Sequence, residues 1–174
     1  MRRGLARRTD VRQSGGGAAP CAGFVGLISD THGLLRPEAL DALAGSHLIL
    51  HAGDVGDPVI LDRLAQIAPV RAVHGNTDGG ALRRSLPATD LVEIAGGVSV
   101  YLIHILDDLD VEPATAGCAA VVCGHTHAPR IERRGGVWYL NPGSAGPRRF
   151  RLPVSVARLY VEPDGLRTEV VELG

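Results

Sequence analysis

"FVGLISDTHGLLRPEALDALAGSHLILHAGD", Phe24 to Asp54, is the stretch whose reading decides the fold. It opens on a short apolar run, Phe24–Ser29, of the kind that forms a buried strand. "RPEALDALAG" (Arg36–Gly45) follows as a helix, with Pro37 near its first turn and Gly45 past its end. "HLILHAGD" (His47–Asp54) is a second apolar run. Strand, helix and strand in this order make a parallel βαβ unit.

Working outward, "DPVILDRLAQIA" places Asp57 as N-cap and Pro58 at the first helical position. Its Ile60, Leu61, Leu64 and Ile67 recur at helical spacing. "VRAVHGN" (Val70–Asn76) is a third strand. The second half changes character. Leu91–His104 reads as two strands joined by a Gly96–Gly97 turn, and "AAVVCG" as a buried strand. "RIERRGGVWYLNPGS" forms a hairpin through Gly135–Gly136, and two alternating strands close the chain. There is no internal repeat and no linker after Phe24. Residues 1–22 read as a basic, Gly-rich, disordered tail and residues 23–174 as one domain. That domain is α/β at its start and more antiparallel later, with two packed sheets flanked by helices.

Composition narrows the function classes. Hydrophobic residues make up 45% and aromatics only 3%, so Val, Leu, Ile and Ala must build the core. No apolar run approaches the ~18 residues of a membrane span. Residues 1–20 carry five Arg against one Asp, so the remainder is acidic, 13 Arg against 18 Asp and Glu. An acidic body offers no general footprint for nucleic acid, and suits a site whose carboxylates are neutralised by cations. Three cysteines, Cys21, Cys118 and Cys123, have no disulfide-scaffold spacing, which points to a reducing, cytoplasmic setting. The tail lacks the apolar segment, about 7–15 residues, of a secretory leader.

The polar residues fall at the ends of strands. "SDTHG", "HAGDVGD" and "HGNTDGG" end the first three; a later strand ends at His104 and another at "CGHTH". Ligands bind outside the carboxyl ends of strands in open α/β sheets. Such an edge would gather Asp30, His32, Asp54, Asn76, His104, His125 and His127. Three carboxylate or amide oxygens and four imidazoles suit two borderline divalent ions. A competing reading makes Cys118, Cys123, His125 and His127 a structural zinc knot, but that spacing is unusual for a closed site. It would also leave Asp30, Asp54 and Asn76 without a role.

In their order, D-T-H-G, G-D, G-N-T-D, a lone His, G-H-T-H and N-P-G-S resemble the calcineurin-like metallophosphoesterases. The similarity is greatest to the small YfcE-type phosphodiesterase branch and spans about Phe24 to Arg149. The resemblance implies a four-layer α-β-β-α sandwich with mixed sheets and a site at the carboxyl strand ends. It assigns Asp30, His32 and His127 to one metal, Asn76, His104 and His125 to the other, and Asp54 to both. Mn2+ is the first expectation, with Zn2+, Fe2+ or Ni2+ as alternatives. Two such ions lower the pKa of a shared water and clamp phosphate oxygens for in-line attack. Asp54, Asn76 and His125 then carry catalysis through metal and phosphate positioning, and Asp78 of G-N-T-D is a further catalytic candidate. The N–H groups of Asn141–Ser144, with Arg148 behind them, are candidates for stabilising charge on the phosphorus oxygens. The expected partner is a small phosphate-ester substrate, with no membrane; a homo-oligomer is compatible with the sequence.

Two departures from the family pattern matter. Thr77 stands where larger relatives carry a leaving-group His, as in the small branch, which implies poor turnover of high-pKa leaving groups. "LIHILDD" replaces the usual His-Gly-His, so Ile105 and Leu106 follow His104; Asp107 or Asp108 could assist there or remain solvated. His51 and His74, beside the centre, read as structural, ligand-supporting or proton-donating residues. The alternative function is a non-catalytic protein-binding scaffold like the retromer small subunit, whose metal ligands are weakened.

Overall fold

The first three apolar runs lie side by side. In the computed structural model, which describes residues 23–174, β1 (Phe24–Ile28), β2 (Ser46–His51) and β3 (Val70–Ala72) pair in parallel. The expected tail lies outside the described residues. The crossovers carry α1 (Pro37–Leu43) and α2 (Val59–Leu64). Asp57 Oδ1 accepts from the Val59 N–H at 2.9 Å, and Pro58 already has helical dihedrals, so this Asp-Pro pair opens α2. α3 (Gly80–Ser85) was not anticipated, because one buried residue, Leu82, shows no helical period. β4 (Thr89–Ile94), β5 (Val98–Ile103), β6 (Cys118–Val122), β7 (Arg130–Arg134) and β8 (Val137–Asn141) form a second sheet. β9 (Ser155–Glu162) and β10 (Gly165–Glu172) return to the first.

The sheet orders are β10-β9-β1-β2-β3 and β4-β5-β6-β8-β7. Both are mixed: β5, β6 and β8 are parallel, while β4 and β7 pair antiparallel at the edges. The turn at Gly135–Gly136 has φ of 55° and 87°, a backbone that glycine adopts without strain.

Alternation along the strands divides the core. Val25, Leu27 and Leu50 face Val100, Leu102, Val122 and Leu140 between the sheets. Ile28 and Ile49 point the other way, onto Ala39 and Leu43 of α1 and Ile60 and Leu64 of α2. Fully burying each large aliphatic side chain contributes about 1.5–3 kcal/mol. The outer face of the second sheet carries Ile103, Val121, Cys123 and Val137, covered by Leu106 and Leu109. This fourth layer is thin: a single 3-10 turn, Leu106–Asp108, stands in a loop rich in Asp and broken by Pro113. No helix among the described residues is long and apolar enough to cross a membrane.

Candidate metal centre

The parallel strands of both sheets deliver their carboxyl ends to one edge. Asp30 and His32 follow β1, Asp54 follows β2 and Asn76 follows β3; His104 follows β5, and His125 and His127 follow β6. All seven come together there. Asp54 Oδ2 lies 3.8 Å from His32 Nε2 and 3.4 Å from His104 Nε2. Asp30 Oδ1 lies 3.3 Å from His127 Nε2, and the His32 and His127 Nε2 atoms are 3.3 Å apart. Asn76 Oδ1 is 3.0 Å from His104 Nε2 and 3.1 Å from His125 Nδ1. Asp30, Asp54, His104 and His127 are buried, while Asn76 and His125 stand exposed at the mouth.

The backbone is strained where these side chains emerge. Six non-glycine residues among those described have positive φ, and five are Asp30, His32, Asp54, His125 and His127. Each costs on the order of 1–3 kcal/mol and persists only where its surroundings hold it. Here the loops lock one another: Asp30 N–H donates to Gly53 O at 3.0 Å and His32 N–H to Asp54 O at 2.9 Å. Close approach of the strand ends requires two glycines. A Cβ on Gly75 would enter the Asp54 carboxylate, and one on Gly124 would enter the Ser29 hydroxyl.

Several polar residues brace the site without facing it. Asp78 accepts from the N–H groups of Val55 (3.1 Å), Gly56 (2.8 Å) and Gly75 (2.9 Å). Its two oxygens tie the loop after β2 to the loop after β3, which gives it a bracing role beside the catalytic one expected of it. "NPGS" also braces. Asn141 Nδ2 donates to Gly124 O at 2.7 Å and Ser144 Oγ to Asp30 O at 2.9 Å. Of the candidate N–H donors in this turn, that of Gly143 is engaged with Asn141 Oδ1; the next residue, Ala145, donates to Ser29 O. His51, fully buried, accepts from Gly53 N–H and meets Thr31 Oγ1 at 3.0 Å. Since Thr31 Oγ1 donates to Val55 O, the His51 ring donates to Thr31 through Nε2. His51 is a structural residue; His74 lines a cavity beside Asn76. The bracing role of Ser29, whose hydroxyl donates to Asp30 Oδ2 at 2.6 Å, had no signal in the sequence.

Electrostatics match a cation site. Asp30 Oδ1 is buried and has no hydrogen-bond donor, and burial pushes the carboxyl upward. Burial alone would also raise Asp54, but hydrogen bonds from His104 and the Thr77 N–H outweigh it and hold the carboxylate far below its ordinary range. For His104 burial opposes protonation, and Asp54 with the Ala52 carbonyl overcomes it. Burial keeps His127 below its usual value, the neutral form a metal requires. His104 Nδ1 donates to Ala52 O at 2.7 Å, so Nε2 is the atom aimed at Asp54. An orphaned carboxylate oxygen, clustered imidazoles and a fixed ring tautomer fit divalent metal ions. Asp30, His32 and His127 form one group able to hold an ion, and Asp30, Asp54 and His104 another. Cys118 and Cys123 form no part of either group. They are five residues apart in sequence along an extended strand, about 16 Å, too far to share one ion, and Cys123 packs on the sheet's outer face.

Two mixed sheets with helices outside, and Asp, His and Asn drawn to one carboxyl edge, define a metallophosphoesterase-type sandwich. The chain belongs to the calcineurin-like phosphoesterase superfamily, whose domain pattern matches residues 24–164. It is 36% identical over 163 residues to a probable metallophosphoesterase of Methanothermobacter thermautotrophicus, covering 87% of this chain and 93% of that protein. Among solved structures, a novel archaeal phosphodiesterase superposes with a TM-score of 0.69 at 22% identity, covering 85% of this chain and 99% of the other. The Escherichia coli phosphoesterase YfcE gives 0.61 at 25% identity, covering 82% and 90%. Vps29 of Entamoeba histolytica, in a complex with zinc, gives 0.65 at 22% identity, covering 86% and 98%.

Proposed function

We propose that the protein is a dinuclear metal-dependent phosphodiesterase acting on small phosphate esters. The observation that carries this reading is the position of Asp54, whose Oδ2 stands within 4 Å of both His32 and His104. Asp30, His32 and His127 would hold one ion, Asn76, His104 and His125 the other, and Asp54 would serve both. Bound ions, Mn2+ first and Zn2+, Fe2+ or Ni2+ as alternatives, supply acidity to the attacking water and a clamp for phosphate oxygens. Hydrolysis joins the water oxygen to phosphorus, breaks one ester P–O bond and returns a proton to the released alcohol.

The chain's own part is placement. His127, which burial keeps neutral, and His104, whose Nε2 is aimed at Asp54, offer ring nitrogens, while exposed Asn76 and His125 stand where an incoming phosphate would first arrive. Thr77 gives Asp54 a backbone N–H at 2.9 Å and brings no side-chain acid to the leaving group. Esters of acidic alcohols are therefore the favoured substrates. Buried free thiols at Cys118 and Cys123 support a reducing, cytoplasmic setting.

The shared fold with Vps29 supports a second reading, a protein-binding scaffold. The complete set of seven donors favours the enzyme. Hydrolysis of bis(p-nitrophenyl) phosphate and p-nitrophenyl phosphate, with Mn2+ and with chelator, separates the two. The enzyme reading expects Mn2+-dependent diester hydrolysis that falls to background in Asp54→Asn. Folded, metal-loaded protein without hydrolysis would contradict the enzyme reading.

A further inference from the structure

Resting on the phosphodiesterase reading, we propose that the centre seats a diester with two uncharged organic arms, one in each of two cavities divided by Ile105. The larger cavity, about 430 Å3, reaches Asn76 and His104 at its inner end and is walled by Ala88, Tyr101 and Ile103. The smaller, about 260 Å3, reaches His125 and is walled by Leu106, Cys123 and Arg130. Ile105 lines both. The inner ends converge, because Asn76 Oδ1 is within 3.1 Å of ring nitrogens of both His104 and His125. A phosphate bound against an ion held at that point would have one recess for each ester group. A monoester would fill one recess and leave the other to water.

Charge defines the arms. Arg83 shares the lining of the larger cavity with Asp108 and Asp110, and Arg130 that of the smaller with Asp107 while pairing with Glu132. Neither has the surplus of cations that a second phosphate group would need. Tyr101 and Ile103 offer the larger arm an apolar wall suited to a ring, with polar groups at the rim. The departure from the family pattern after His104 thus has a physical result: Ile105 and Leu106 build the partition and part of the smaller recess.

Calorimetry on the full-length, Mn2+-loaded protein tests the proposal with diphenyl phosphate, methyl phenyl phosphate and phenyl phosphate. Diphenyl phosphate should bind at least tenfold more tightly than methyl phenyl phosphate, and the KM values of bis(p-nitrophenyl) and methyl p-nitrophenyl phosphate should differ in the same sense. Ala88→Trp, at an exposed position in the larger wall, should erase that advantage and leave phenyl phosphate within twofold. Equal binding of the two diesters by the wild type, or a parallel loss of all three ligands in a folded Ala88→Trp protein, overturns the two-cavity assignment. Phenol is a less acidic leaving group than p-nitrophenol, so the phenyl esters turn over slowly and their binding is read ahead of cleavage; absent hydrolysis with the tenfold preference intact would fault the catalytic reading and support the two arms.

Discussion

His104 Nε2 stands 3.4 Å from Asp54 Oδ2, although the two residues leave different sheets. This contact joins the parallel strands of the two layers at their carboxyl edge, and the rest of the centre is arranged around it. Its consequences are open to direct experiment.

Gly75 leaves no room for a side chain. A Cβ there would meet the Asp54 carboxylate and the Asp54 main-chain nitrogen, so Gly75→Ala must displace that carboxylate. The variant should fold with a loss of roughly 1–3 kcal/mol and bind Mn2+ at least tenfold more weakly. Isothermal titration with Mn2+ checks it; unchanged affinity would mean that Asp54 does not ligate.

Asp78 holds three backbone N–H groups, and removing it leaves two of them, on buried Val55 and Gly75, without a partner. Asp78→Ala should lose several kcal/mol, at about 1–3 kcal/mol per unsatisfied buried group, with a lowered Tm. Asp78→Asn, which keeps two lone pairs, should restore part of that stability. Were Asp78 a proton donor or acceptor instead, Asn would keep Tm and lose hydrolysis, an outcome that thermal melts and kinetics together would reveal.

His51 links stability to pH. Burial lowers its imidazole from 6.5 to about 4, so between those values the unfolded chain takes up a proton that the native protein refuses. The stability carried by neutral His51 is whole above about pH 6.5 and is lost as pH falls towards 4, by up to about 3 kcal/mol. Urea unfolding of metal-free protein at pH 7 and pH 4.5, compared with His51→Gln, isolates the effect. The wild-type advantage should shrink by more than about 1 kcal/mol at the lower pH; a constant difference would contradict it.

Cys123 separates the catalytic centre from a zinc knot. Burial pushes its thiol up to about 12, which makes it an apolar filler against Val121 and Val137. Cys123→Ala should leave the metal content of the purified protein unchanged. Loss of bound metal by elemental analysis would restore the knot.

The strand ends were legible because each ligand candidate sits directly after an apolar run, where a parallel strand must release its chain. Alternation and Gly-Gly pairs likewise marked the two hairpins. What remained hidden involves contacts between distant segments. Asp78 resembles any turn carboxylate until the loops after β2 and β3 are seen to share it. Asn141 looked like a donor turn, yet its side chain reaches Gly124, 17 residues earlier. α3 escaped notice because a six-residue helix with one buried side chain has no period to detect. Ile105 read as a blemish in a motif, whereas in space it stands between two cavities.

The central claim, two ions sharing Asp54, is tested most directly by titrating metal-free protein with Mn2+ while following bis(p-nitrophenyl) phosphate hydrolysis. Activity should rise to a plateau at two equivalents per chain, disappear with chelator and fail to appear in Asp54→Asn. A plateau at one equivalent, or full activity in Asp54→Asn, would contradict it.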